Sequence, residues 1–320
     1  MDFYSERRQH ISLSSYAFNT IKSDCYAFSG SRSNISGFIN RIFLERFENT
    51  EPLEKKNRTD YSFKIRPSNE VSEVLQELEG NVIGPNCEFS TRASLFNAIL
   101  ENYALLPQYE REAIVYSNIL NSLENSLLLP PQDRRILKIK YVTARGETII
   151  CQVKPYRMVS DSARTFHYLV GYSKKISPIT DLDYAPFPFR ISRIVDLRTY
   201  SKSHGSANLS EVEKQELQQS LDSKGVQFML GNISEFKVLL TPDGFNMYRS
   251  TTHLRPLAEE KLTTIDSVGN VNMTFYSTEL QILQYFFRFG MHAVILSPVD
   301  TRNKIAESYR KALEFYETPY

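Results

Sequence analysis

The middle of the chain contains two stretches, KPYRMVSDSARTFHYLVGYSKK at residues 154–175 and PFRISRIVDL at residues 188–197, in which the runs 166–172 and 191–197 have a strand pattern. β-Branched and aromatic residues are concentrated in both, which is typical of partly buried strands. Further β-rich runs lie upstream, at 136–142 and 148–153. The sequence therefore predicts a small, strongly curved sheet or open barrel over residues 134–202.

The charge of this central segment differs from that of its neighbours. Residues 134–202 carry 14 Lys/Arg and 5 Asp/Glu, a net charge of +9, whereas residues 1–133 carry 13 and 18, a net charge of −5. The whole chain has a net charge of only +1. A basic segment inside a near-neutral chain attracts polyanions. The alternative is a solvated basic face that balances acidic neighbours.

Three elements of the central segment carry a family resemblance. Lys154-Pro155-Tyr156 is followed by the triplet His167-Tyr168-Leu169, and then by Phe189-Arg190-Ile191-Ser192-Arg193-Ile194. This order resembles the WYL domain, an Sm-like β-barrel found in bacterial regulators, except that His167 replaces the tryptophan of the family's triplet. Residues 262–316 resemble the extension that follows WYL domains, for which the resemblance implies a ferredoxin-like α+β domain.

Aromatic and cationic side chains in this segment suit single-stranded nucleic acid, which needs stacking planes and phosphate partners. Tyr168 and Tyr172 are four apart and share a face of a strand, whereas Arg190 and Arg193 are three apart and point to opposite faces unless a bulge intervenes. The alternative to a ligand-binding role is a position in the core for Tyr168 and a role in surface solubility for the lysines. The candidate RNA-binding residues are Lys140, Lys154, Tyr156, Arg157, His167, Tyr168, Tyr172, Arg190 and Arg193.

The order strand, helix, loop, helix occurs twice in residues 1–107, which indicates an internal repeat. The first copy has a strand at 10–14 and helices at 16–28 and 35–47, with Asn34 as the N-cap of the second helix. The second copy has a strand at 61–66 followed by two helices, the last running from a Thr91 cap to Leu106. Both copies resemble ribbon-helix-helix modules, whose strands pair into one antiparallel ribbon. Two copies in one chain suggest a pseudo-dimer within the chain.

Such ribbons place outward side chains in the major groove of DNA. The candidate DNA-binding residues are Ser12, Ser14, Lys64 and Arg66. The negative charge of the segment disfavours DNA binding, because phosphate neutralisation supplies most non-specific affinity. A structural or dimerising role is the alternative. Residues 108–133 are predicted to be one helical linker, closed by Pro130-Pro131.

Several function classes lack a signature in the sequence. We find no nucleophile elbow, P-loop, GxGxxG or HExxH motif, and the five histidines have no metal-ligand spacing. We therefore expect no enzymatic activity, no cofactor and no metal. No apolar run is long enough for a membrane span, and three distant cysteines fit a cytoplasmic protein without disulfides.

The predicted organisation is α+β: tandem ribbon-helix-helix modules (1–107), a helical linker (108–133), a WYL domain (134–202) and an α+β extension (203–320). Chains with this architecture resemble accessory proteins of type VI-D CRISPR systems. The resemblance implies a homodimer that binds single-stranded RNA and raises RNA cleavage by the effector nuclease. The alternative is a ligand-responsive transcription factor that binds operator DNA through the ribbon.

One variant tests the sequence-based site. Replacing Arg190 and Arg193 together by alanine is expected to weaken single-stranded RNA binding at least about tenfold, because charged phosphate partners are lost. The measurement is a titration of labelled RNA. Unchanged affinity in a folded variant would contradict the assignment.

Overall fold

A computed structural model describes residues 8–29, 34–53, 60–177, 183–201 and 205–318. The chain divides into two compact units. The first comprises Met1–Ser160, Arg164–Ala185 and Phe189–Asn208, and the second comprises Asp161–Ala163, Pro186–Pro188 and Leu209–Tyr320. Within the described residues no helix has the length and apolar character needed to cross a membrane.

The N-terminal part of the first unit contains the predicted repeated order of elements. Its strands β1 and β2 form a two-stranded antiparallel ribbon in which Ser12 lies opposite Ser62. On the inner face of the ribbon the side chains of Ile11, Leu13 and Ile65 are buried. The elements are β1 (Gln9–Leu13), α1 (Ser15–Ser29), α2 (Ile35–Arg46), β2 (Tyr61–Ile65), α3 (Asn69–Leu78) and α4 (Arg92–Leu105). The order agrees with a tandem ribbon-helix-helix, although the assignment to that class remains a prediction.

Two helix starts were predicted correctly from capping residues. The Asn34 side chain accepts hydrogen bonds from the backbone N–H of Ser36 and Gly37. Thr91 and Ser94 form a reciprocal capping box at the start of α4. Both side chains satisfy backbone donors that the first helical turn leaves unpaired.

The predicted single helix over 108–133 is wrong. The structure has two helices, α5 (Gln108–Val115) and α6 (Ser117–Leu128), which are separated at Tyr116. The backbone of Tyr116 has φ −115° and ψ 22°, outside the helical region. Its buried hydroxyl donates to the carbonyl of Phe28 at 2.5 Å, so a tertiary contact fixes the residue where the helix breaks.

The central strands form one five-stranded sheet in the order β6-β5-β4-β3-β7. Among the described residues, β6 and β7 are its edges and do not pair with each other, so the sheet is open and the Sm-like barrel stays a prediction. Its strands are β3 (Leu137–Val142), β4 (Thr148–Ser160), β5 (His167–Ser177), β6 (Ala185–Arg190) and β7 (Ile194–Thr199).

One predicted strand of this region is shorter than expected. Residues 191–197 were predicted to be extended, but Ile191–Arg193 form a 3-10 turn between β6 and β7. Arg190 therefore ends one strand and Arg193 lies in a turn. The strand alternation that placed the two arginines on opposite faces does not apply to them.

The second unit is built around a four-stranded antiparallel sheet in the order β11-β8-β10-β9. Between its first and last helices the elements follow the order β-α-β-β-α-β, which is the order of a ferredoxin-like domain, although the assignment to that topology remains a prediction. Phe236, Phe275 and Tyr285 are among its buried core residues. The elements are α7 (Glu211–Lys224), β8 (Ile233–Leu240), α8 (Pro242–Ser250), β9 (Thr264–Ile265), β10 (Val271–Thr278), α9 (Glu279–Phe286), β11 (Ala293–Ser297) and α10 (Val299–Glu317).

Gly171 in β5 tests the packing of the central sheet. A Cβ at this position would lie 2.3 Å from the carbonyl oxygen of Lys154 on β4, a backbone atom. Gly171→Ala is therefore expected to lower the free energy of unfolding by about 1–3 kcal/mol, measured by urea denaturation. Gly37→Ala in α2 meets only ordinary contacts, and this control is expected to be neutral or slightly stabilising. If the Gly171→Ala and Gly37→Ala variants were equally stable, the close approach of β4 and β5 would be contradicted.

Candidate functional site

The pairing of four strands aligns one row of polar side chains across the central sheet. Lys138 on β3 lies opposite both Arg198 on β7 and Gln152 on β4, and Gln152 lies opposite Lys174 on β5. Directly opposed residues share a face of the sheet. Lys138 and Arg198 are exposed and Lys174 is half-buried. The row therefore presents three cationic groups on one face.

Tyr184, just before β6, lies beside this row. The ammonium nitrogen of Lys154 is 4.7 Å from the centre of the Tyr184 ring, and that of Lys174 is 5.0 Å from it. The Tyr184 hydroxyl donates to the Gln152 Oε1 at 3.2 Å, which orients the ring. Burial raises the pKa of Tyr184, with nearby Tyr200 adding to the effect, so the phenol is neutral at physiological pH. We call Lys154, Lys174 and Tyr184 the lysine–tyrosine cluster.

The three lysines of this face differ from its arginine in their acidic partners. Among the described residues, no carboxylate lies within 4 Å of the ammonium groups of Lys138, Lys154 or Lys174. Arg198 differs, since it pairs with Asp196 at 2.9 Å. An exposed cation–π contact is worth about 0.5–1 kcal/mol, whereas a base stacked on an aromatic ring is worth about 1–3 kcal/mol. The cluster can therefore exchange its internal contacts for those of a nucleotide.

A second cluster lies where the N-terminal helices pack on the central sheet, and we call this place the helical junction. The carboxylate of Glu112 on α5 is fully buried, and its Oε2 accepts from the backbone N–H of His167 at 2.6 Å. The same oxygen lies 3.1 Å from Nδ1 of His167. The other oxygen, Oε1, has no hydrogen-bond partner within the described part of the chain. Glu112 therefore anchors the first residue of β5 to helix α5.

Arg190 belongs to this second cluster. Its guanidinium carbon lies 3.2 Å from the centre of the Phe166 ring, and its Nε donates to the Ser192 Oγ at 2.7 Å. Burial lowers the pKa of Arg190, and the nearby Glu112 opposes that shift. A longer contact of 3.4 Å joins Nη2 to the carbonyl of Ala27 in α1. Arg190 is thus engaged by packing between the helices and the sheet.

The structure separates the predicted RNA-binding residues into different surroundings. Lys140 is exposed on β3, and Lys154 is half-buried beside Tyr184. His167 and Arg190 lie at the helical junction described above. The remaining residues are Tyr156 and exposed Arg157 at a register shift of β4, half-buried Tyr168, Tyr172 with 6% of its surface exposed, and half-buried Arg193 in the 3-10 turn.

The candidate DNA-binding residues lie on or beside the ribbon. The Ser12 hydroxyl is 2.6 Å from the hydroxyl of Ser62, and the Ser14 hydroxyl donates to the buried carboxylate of Glu101 at 2.9 Å. Lys64 and Arg66 are exposed. The two serines are thus engaged within the fold, and the two basic residues face solvent.

Lys174 and Tyr184 were missed as site residues by sequence reasoning. Tyr184 lies in the acidic stretch DLDY, which has no strand alternation. Ser173-Lys174-Lys175 is a run of three polar residues without apolar alternation, so the sequence did not indicate which lysine faces outward. The described residues contain no group of three or more His, Cys, Asp or Glu side chains arranged to hold a metal ion.

Comparison with known proteins identifies the central segment. Residues 131–199 match the family model of the WYL domain, so this part of the chain is a WYL domain and the resemblance seen in the sequence is confirmed. The chain as a whole is similar to the crystal structure of a CRISPR Cas-related protein, with a TM-score of 0.74 and 20% identity over 98% of this chain and 95% of that one. The two share a fold.

A second solved structure matches more weakly. It is proteasome accessory factor B/C (PafBC) of Arthrobacter aurescens, with a TM-score of 0.27 and 14% identity over 62% of this chain and 28% of that one. A comparison with curated protein sequences finds no match.

Glu112 provides a test of the helical junction. Glu112→Ala leaves the partly buried backbone N–H of His167 without its acceptor, which is expected to lower the free energy of unfolding by about 1–3 kcal/mol. Chemical denaturation measures the change. Glu124→Ala, at an exposed position on α6, is the control and is expected to change stability by less than about 0.5 kcal/mol. Equal effects of the two substitutions would refute the anchoring role.

Proposed function

We propose that this protein is a non-catalytic accessory protein of a CRISPR system. In this proposal its WYL domain binds single-stranded RNA, and the protein enhances RNA cleavage by an RNA-guided RNA nuclease of type VI-D. The protein acts in the cytoplasm as a homodimer. Its N-terminal part is a tandem ribbon-helix-helix, and its central sheet is of the Sm-like type.

One observation carries the RNA-binding proposal. The outer face of the WYL sheet holds lysines with no carboxylate partner among the described residues, next to an oriented tyrosine ring. Cations together with an aromatic plane favour single-stranded nucleic acid over duplex DNA, because only unpaired bases offer free faces for stacking. The CRISPR part of the proposal is supported by the shared fold with a CRISPR Cas-related protein over 98% of this chain.

The ribbon supports a second candidate, a transcription factor that binds operator DNA. Exposed Lys64 lies opposite exposed His10 on the outward side of the ribbon, and exposed Arg66 follows β2. Against this, the Ser14 hydroxyl is bonded to Glu101, which leaves fewer groups for base edges. The net charge of −5 over residues 1–133 also opposes phosphate contacts.

A binding experiment separates the two candidates. Labelled single-stranded RNA, single-stranded DNA and duplex DNA are titrated with the protein at about 50 and 200 mM salt. Each of two variants removes two charges, Lys138→Gln/Lys140→Gln on the WYL sheet and Lys64→Gln/Arg66→Gln on the ribbon. The proposal predicts RNA binding that weakens about tenfold or more with salt and is impaired only by the sheet variant. Duplex binding impaired only by the ribbon variant would establish the transcription factor instead.

The accessory role has its own readout. Purified protein is added to a type VI-D effector with its guide RNA and a labelled target RNA. The proposal predicts faster target cleavage, and a smaller increase with the sheet variant than with the ribbon variant. An unchanged cleavage rate at protein concentrations that saturate RNA binding would contradict it.

A further inference from the structure

The lysine–tyrosine cluster combines an aromatic plane with two cations on neighbouring strands. Lys154 lies on β4 and Lys174 on β5, and their ammonium groups are 4.7 and 5.0 Å from the ring centre of Tyr184. The hydrogen bond from the Tyr184 hydroxyl to Gln152 holds the ring in place. This is a preorganised arrangement, because the strand pairing and the hydrogen bond fix the ring and the lysine backbones before a ligand arrives.

The second unit contains a comparable tyrosine and lysine whose charge is balanced. The hydroxyl of Tyr276 on β10 donates to Glu235 at 3.1 Å, and the ammonium of Lys237 lies 3.6 Å from the same carboxylate. In the lysine–tyrosine cluster the ring takes the place that a carboxylate occupies there. The positive charge of Lys154 and Lys174 is therefore available to an anion from outside the chain.

We propose that Tyr184 is the stacking platform for one unpaired base of a bound RNA strand, with Lys154 and Lys174 binding the phosphates on either side of it. This inference rests on the proposed function, and it places the stacking contact on Tyr184, a residue outside the WYL signature motifs. On binding, an ammonium group leaves the ring for a phosphate oxygen and the base takes the vacated ring face. Both cations keep an anionic or aromatic partner throughout.

The row of polar side chains across the central sheet, which we call the basic row, gives the RNA strand a path beyond this cluster. From Lys174 the row continues through Gln152 and Lys138 to Arg198, across three inter-strand spacings, or about 14 Å. Every base has a π-face, so stacking on Tyr184 is tolerant of base identity. The cluster therefore predicts binding without strong sequence preference.

Substitutions at Tyr184 separate stacking from other effects. Fluorescence anisotropy measures binding of a labelled oligouridine RNA to the full-length protein. Tyr184→Leu is expected to weaken binding about 5- to 140-fold because the plane is lost. Tyr184→Phe keeps the plane and is expected to stay within about threefold of the unmodified protein. Thermal melting checks that each variant is folded, and Tyr276→Leu is the matched tyrosine control.

The lysines are tested through salt dependence. Lys154→Gln/Lys174→Gln is expected to reduce the slope of log affinity against log salt by about 1.4, at about 0.7 per phosphate contact in a single strand. Lys237→Gln, whose lysine already has an acidic partner, is expected to leave the slope unchanged. An unchanged slope in the double variant would overturn the phosphate role of the two lysines.

An abasic oligomer with the same number of phosphates completes the test. Tyr184→Leu is expected to bind this oligomer as well as the unmodified protein does, because only the base contact is lost. If both cluster variants bind oligouridine with unchanged affinity, the inference is overturned while RNA binding by the protein stands. If the unmodified protein binds no single-stranded RNA, the proposed function is overturned, and the inference with it.

Discussion

The backbone register of β3, β4 and β5 determines where the charges of the WYL domain lie. Leu137, Ile139 and Val153 are buried on one side of these strands, and Lys138 and Gln152 are therefore placed on the other. Because side chains alternate with a period of two, a slip of one residue would bury the lysines and expose the core. The cost of burying unpaired charges fixes the register strongly. The outward basic row is thus a consequence of the same pairing that forms the core.

The basic residues of the WYL domain fall into two groups with different physical roles. Arg190 stacks on Phe166 and bonds to Ser192 at the helical junction, where Glu112 also anchors β5. The ammonium groups of Lys154 and Lys174 lie beside the Tyr184 ring, and such cation–π contacts can be exchanged at little cost. Loss of Arg190 would disturb packing as well as charge, and the lysines therefore give a cleaner test of ligand binding.

The sequence predicted local features well and tertiary contacts poorly. Asn34 and Thr91 were correctly predicted as helix caps because capping depends on neighbouring backbone groups. The helix break at Tyr116 was missed, and the hydroxyl of this residue donates to the distant residue Phe28, a contact that no local sequence pattern shows. Tyr184 was missed for a related reason: its approach to lysines of β4 and β5 depends on strand pairing. The WYL motifs were recognisable because their order along the chain is itself the signal.

The central claim is that RNA lies on the outer face of the WYL sheet, and cross-linking tests it most directly. A 4-thiouridine oligonucleotide is bound to the unmodified protein, irradiated, and the cross-linked peptides are identified by mass spectrometry. The account predicts cross-links in the segment that contains Tyr184 and in β5 around Lys174. Cross-links confined to the ribbon strands β1 and β2, with none in the WYL domain, would contradict it.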